Sequence, residues 1–99
     1  MITPKQLVEL EDIIAHFGEI PQLVKSAEEA GEYLTAITRY LALKDTDGSL
    51  REHAIEECAD ALITLMQARI ILGKDQVDDV IDYKIRRTID RIKTENKLK

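Results

Sequence analysis

Four carboxylates fall into two matched pairs, Glu29 with Glu32 and Glu57 with Asp60, each spaced i, i+3. A helix turns about 100° per residue, so such a pair projects from nearly one face, one turn apart. Two helices packed side by side would gather four negative groups. Like charges a few ångströms apart repel, and partial burial strengthens the repulsion. A hard divalent cation such as Mg²⁺, with Mn²⁺ as its substitute, relieves that repulsion by taking carboxylate oxygens as ligands.

Such a centre needs rigid helices to hold it, and the punctuation of the chain supplies four. Thr3-Pro4-Lys5-Gln6 offers an N-cap threonine, a proline at the first helical position and a capping-box glutamine. A first helix is therefore expected over about 4–17, with Leu7, Leu10, Ile14 and Phe17 as its apolar stripe and Gly18 as its stop. Pro21 starts a second, expected over about 21–44, with a core stripe of Leu23, Ala27, Ala30, Leu34, Ile37 and Leu41. Asp45-Thr46-Asp47-Gly48 reads as a turn. Ser49-Leu50-Arg51-Glu52 is a second capping box, opening a helix over about 49–72 that Gly73 closes. Asp75 caps a fourth, over about 75–94, lined on one side by Val77, Ile81, Ile85, Thr88, Ile89 and Ile92, with fraying after Thr94. There is no internal repeat and no strand-like alternation. The expected fold is all-α, a four-helix bundle forming one domain over residues 1–99.

Helical angles place the acids differently on the two helices. Glu29 and Glu32 point roughly 120–160° away from the expected core stripe, on a face shared with Lys25 and Ala36. Taken alone they read as solvated surface. The third helix is apolar almost all round from Cys58 to Leu72, with Leu62, Ile55, Met66, Ala59 and Ile70 in one stripe. Leu65, Ala54, Cys58 and Leu72 form another. A helix with two apolar stripes must be buried on two sides, more than a 99-residue monomer provides, so an oligomer is expected. Glu57 and Asp60 occupy the polar strip between the stripes with His53 and Thr64, and partly buried acids there need a partner.

Apolar residues are 44 % and charged residues 33 % of the chain, an ordinary globular balance that excludes a disordered tract. The net charge of −5 is unevenly spread: residues 82–99 hold seven Lys/Arg against three Asp/Glu, a charge of +4, leaving −9 on the rest. An acidic body with a basic tail helix does not fit duplex nucleic acid, but suits a phosphate ligand between metal-bound acids and cationic side chains. The single cysteine, Cys58, cannot form an internal disulfide, which points to a reducing cytoplasmic location. No signal segment opens the chain, Met1 leading straight into the first helix, and no apolar run approaches the ~18–20 residues of a membrane span.

The segment Glu28-Glu29-Ala30-Gly31-Glu32, a 24-residue interval, and then Glu57-Cys58-Ala59-Asp60 resembles the EExxE…ExxD signature of the MazG-like nucleoside triphosphate pyrophosphohydrolases. These belong to the all-α NTP pyrophosphatase superfamily, with dimeric dUTPases and phosphoribosyl-ATP pyrophosphohydrolases as relatives. Lys25-Ser26-Ala27 ahead of the first motif and Ala59-Asp60-Ala61-Leu62 continuing the second extend the resemblance, which covers about residues 21–92.

The resemblance implies an enzyme that uses Mg²⁺ to hydrolyse a nucleoside triphosphate between the α- and β-phosphates, giving the monophosphate and pyrophosphate. Carried over by position, Glu29, Glu32, Glu57 and Asp60 are the implied metal ligands. Glu28, beside the ligand face, is the candidate general base, and Glu56 a second one. Lys25, one turn before Glu29, is a candidate phosphate contact. Asp82-Tyr83-Lys84 followed by Arg87 is similar to the family's N-x-K segment that helps hold nucleotide, with Asp82 standing where the family has asparagine. Lys84 and Arg87 are accordingly candidate substrate contacts, the plain alternative being a solvated basic face shared with Arg86 and Arg91. A homodimer or a dimer of dimers is the implied assembly.

Other residues carry less. His53 reads as a surface or supporting histidine, and Cys58 as a small buried apolar residue rather than a nucleophile. Tyr33, Tyr40 and Tyr83 suit interface packing or stacking on a base. No Walker-type loop or dinucleotide-binding glycine fingerprint is present. Two alternatives remain beside the main reading: a phosphoribosyl-ATP pyrophosphohydrolase, and a non-catalytic helical module for oligomerisation or metal binding. The long interval holding Asp45-Thr46-Asp47-Gly48 fits the MazG-like proteins better than the first of these.

Overall fold

A computed structural model describes residues 2–98; Met1 and Lys99, the ends of the expected domain, lie outside the described residues. The described residues form helices and no strand: α1 (Pro4–Phe17), α2 (Glu19–Ala42) and α3 (Ser49–Leu98). Gly73, at φ 132° and ψ 99°, breaks α3 into a first arm, residues 49–72, and a second arm, residues 74–98. Four helical segments therefore exist, close to the expected boundaries, and the all-α class is as expected.

The caps explain most of the boundaries. The Thr3 hydroxyl accepts from the Gln6 amide at 3.1 Å, and the Gln6 side chain accepts from the Thr3 amide at 2.9 Å, the reciprocal capping box. Gly18 ends α1 at φ 96°, its N–H donating to the Ile14 carbonyl. Helix α2 begins at Glu19, two residues before Pro21, which fits inside the first turn because no intrahelical donor is needed there. It stops at Ala42, short of Lys44, where Leu43 turns extended.

The start of α3 departs from the expected capping box. Asp47 accepts from the Ser49 amide at 3.0 Å, and Asp45 accepts from the Leu50 and Arg51 amides at 3.2 and 3.1 Å. Two turn aspartates, rather than Ser49 and Glu52, satisfy the orphan donors and place negative charge at the positive end of the helix. The Ser49 bonds hold the Asp47 carboxyl below its usual range. At the other end, Asp75 caps no separate helix, since the chain is helical on both sides of Gly73, and the helix runs to Leu98, beyond the expected end at Thr94.

Packing corrects the expected faces. On α2 the stripe assigned to the core is largely outside: Leu34 is 64 % and Leu41 77 % exposed. The face packed on α3 carries buried Gln22 and Ala36, with Ser26, Glu29, Tyr33 and Ile37 half-buried. Helix α2 is thus rotated so that Glu29 looks inward while Glu28 and Glu32 stay exposed. Opposite it, Ala54, Ala61, Thr64, Gln67 and Ala68 are buried on the first arm, while Ile55, Leu62, Leu65 and Leu72 are exposed. The core is small, mainly alanine with Leu10 from α1. Small residues at the contact let two helix axes approach closely, which is what brings acids on both helices within reach.

The second arm does not fold back as the fourth member of a bundle within one chain. Arg69 grips Asp78 across the Gly73 elbow through two bonds of 2.6 and 2.7 Å. Beyond it, residues 81–97 are exposed throughout. No helix among the described residues is long and apolar enough to cross a membrane.

Candidate metal centre

Glu29 reaches the α2–α3 seam because Ala36 on its own helix and Ala54 and Ala61 opposite occupy so little space. Glu57 and Asp60 project from the facing turn of α3. Glu29, Glu57 and Asp60 each offer a carboxylate oxygen such that all three atoms lie within 4.8 Å of one another. The Glu29 and Glu57 side chains are only 12 % and 14 % exposed, whereas Asp60 is open to solvent.

Each glutamate divides its oxygens. Glu29 Oε1 lies 3.4 Å from Lys25 Nζ, and Glu57 Oε1 lies 4.0 Å from His53 Nε2. The second oxygen of each, Oε2, is buried with no hydrogen-bond partner. A buried carboxylate oxygen without a donor is costly, and two beside a third carboxylate are costlier. A cation, a proton or a donor from solvent would each relieve such a set. All the donors are hard oxygens, so the residues present fit Mg²⁺ or Mn²⁺ better than a soft metal.

The fourth expected ligand stands apart. Glu32 is exposed and does not join the group of three. It lines a neighbouring open cleft of about 590 Å³ with Glu28, Gly31, Thr35, His53 and Glu57. Glu28 therefore shares a cleft with Glu57 but not the three-carboxylate cluster, and Glu56 lines neither cleft beside the acids. The one-turn spacing of Glu29 and Glu32 leaves one on the seam and the other at its edge.

Lys25 is at the site, through its contact with Glu29. Lys84 and Arg87 are not: both are exposed on the second arm and line neither cleft beside the carboxylates. Arg87 sits 5.9 Å over the Tyr83 ring, and Asp82 pairs with Arg86 at 3.0 Å within its own helix. The spacing along the sequence could not reveal that Gly73 carries this segment away from the acids of the same chain. Cys58 is a half-buried free thiol, in keeping with a packing role.

A second cleft, of about 540 Å³, opens between all three helices. Ile13 and Phe17 of α1 form one wall; Lys25 and Glu29 of α2 with Asp60 of α3 form the polar mouth; Gln22, Ile63, Thr64 and Gln67 complete it. Sequence reasoning missed Gln22 and Gln67. The only hint was Gln67 interrupting an apolar run, because Gln22 lies beside Pro21 with no pattern to mark it. No protein-family model matches the chain, and neither does any curated protein or solved structure.

Proposed function

We propose that the chain is a Mg²⁺-dependent pyrophosphohydrolase converting nucleoside triphosphates or deoxynucleoside triphosphates to the monophosphate and pyrophosphate. The observation that carries this reading is the convergence of Glu29, Glu57 and Asp60, with two buried oxygens left unbonded. The order of the acidic motifs along the chain, which resembles the MazG-like signature, supports the same chemistry.

Glu29, Glu57 and Asp60 would hold the ion, with Glu32 at the rim. Bound there, Mg²⁺ would offset charge on a pyrophosphate leaving group and lower the pKa of a water. Lys25, which lines the cleft between all three helices, would attract phosphate oxygens to the same edge. Glu28, an exposed carboxylate in the adjoining cleft, is the candidate to take the proton of the attacking water.

The same reading includes a homodimer or dimer of dimers. A compact monomer of this mass exposes about 5,700 Å², whereas this chain exposes 7733 Å². The radius of gyration, 17.1 Å, likewise exceeds the ~13 Å of a compact 100-residue domain. The surplus of about 2,000 Å² per chain is what an obligate interface covers.

Incubation with each NTP and dNTP plus Mg²⁺, followed by pyrophosphate and monophosphate assays, tests the activity. Turnover that disappears in Glu57→Gln supports it. No turnover on any nucleotide favours a non-catalytic helical module, and turnover of phosphoribosyl-ATP alone selects the related pyrophosphohydrolase.

A further inference from the structure

Gln22 and Gln67 are 6 % and 2 % exposed, yet neither is an inert core residue, because both line the cleft between all three helices. Gln22 Nε2 donates to Gln67 Oε1 at 2.7 Å. Gln67 Nε2 donates in turn to the Ile63 carbonyl at 3.5 Å, which fixes which way its amide faces. Gln22 thereby spends one amide hydrogen and keeps a carbonyl oxygen and a second hydrogen. Burying two amides where leucines would pack is unfavourable unless the polar groups are used.

The surroundings of the pair are those of a planar ligand. Phe17 and Ile13 supply an apolar wall, and Phe17 stays 59 % exposed, its ring meeting the His16 ring in a T-shaped pair with centroids 4.6 Å apart. Thr64 donates its hydroxyl back to carbonyls of its own helix, so it contributes its methyl group. At the opposite end stand Lys25, Glu29 and Asp60. A volume of about 540 Å³ is in the range of small-molecule sites.

We propose that this cleft is a nucleobase slot in which the Gln22 amide, oriented by Gln67, reads a base edge carrying adjacent donor and acceptor groups. The proposal rests on the nucleotide chemistry proposed above and assigns the part of the substrate that the carboxylates do not touch. A side-chain amide pairs with such an edge through two bonds, and apolar rings stack on its face. The phosphates then extend toward Lys25 and the metal centre.

Calorimetric titration with the four deoxynucleoside 5′-monophosphates and with 2-deoxyribose 5-phosphate, all with Mg²⁺, tests the slot without needing turnover. At least one nucleotide should bind about tenfold or more tighter than the sugar phosphate, the margin expected of hydrogen bonds to buried amides. Gln22→Leu should erase that margin while leaving sugar-phosphate binding in place. The Gln22→Leu/Gln67→Leu double variant should do the same; it removes both partners and so leaves no orphaned amide to unfold the protein. Nucleotides binding no tighter than the sugar phosphate, or a margin that survives both variants, would overturn the slot. A base-dependent margin without triphosphate turnover would sink the hydrolase and keep the slot. Equal kcat/KM for all bases in wild type and Gln22→Leu would do the reverse.

Discussion

Glu29 and Glu57 face each other across the α2–α3 seam, each with one buried oxygen and nothing to bond it. On the proposed metal reading, the pair works against folding when no cation is bound. Glu57→Gln should therefore raise the metal-free melting temperature by about 4–8 °C, the shift that roughly 1 kcal/mol produces in a domain of this size. The same variant should lose the stabilisation that Mg²⁺ gives the wild type; thermal melts with and without Mg²⁺ check both halves. A wild-type melting temperature indifferent to Mg²⁺ would contradict the reading. The spacing of the acids was legible in the sequence, but their setting was not. The α2 face holding Glu29 looked solvated because Leu34 and Leu41 opposite it looked like core. What reverses the assignment is tertiary: alanines at Ala36, Ala54 and Ala61 make the polar face the closer fit.

At the scale of elements, the elbow decides where the second arm goes. Gly73 adopts φ 132°, a conformation that other residues rarely take, and a Cβ there would meet the tip of the flexible Gln76 side chain, which can move aside, so the backbone conformation is the main cost. Gly73→Ala should lower stability by about 1–3 kcal/mol, the usual cost of a forced backbone conformation, measured by urea unfolding. Unchanged stability would show that the arms straighten freely. Arg69 and Asp78 lock the same elbow, and the Arg69 bonds hold the Asp78 carboxyl below its usual 3.8. A lowered folded-state pKa gives stability that is present above the unfolded value and is lost as pH falls through the folded one. Asp78→Asn should accordingly melt below wild type near neutral pH, with the gap closing well below pH 3.8. A gap that persists in acid would mean that the ion pair is not its source. Gly73 was readable as a stop, but the helix resuming at once was not, since nothing local records the Arg69–Asp78 clasp nine residues apart.

Across the whole molecule, the chain has too little core for its length. Ile81, Ile85, Ile89 and Ile92 stand exposed on the basic second arm, while Ile20, Val24, Leu34 and Leu41 stand exposed on α2 of the acidic body. Apolar stripes and opposite charge on two parts of one chain favour association between copies. Sedimentation should give a mass of at least twice 11.3 kDa, and Ile85→Glu/Ile89→Glu should shift it toward the single chain or unfold it. A wild type that stays a folded single chain at high concentration would contradict the assembly. The surplus of apolar residues was legible from the two stripes of the third helix. The extended arm was not, because four helices of these lengths also satisfy the pattern of a closed bundle. If Glu29, Glu57 and Asp60 hold one divalent ion in every chain, as proposed, Mn²⁺ titration followed by electron paramagnetic resonance reads it without any substrate. One bound Mn²⁺ per chain is expected, displaced by excess Mg²⁺ and lost in Glu29→Gln and Glu57→Gln. A spectrum of free Mn²⁺ unchanged by the protein would contradict it.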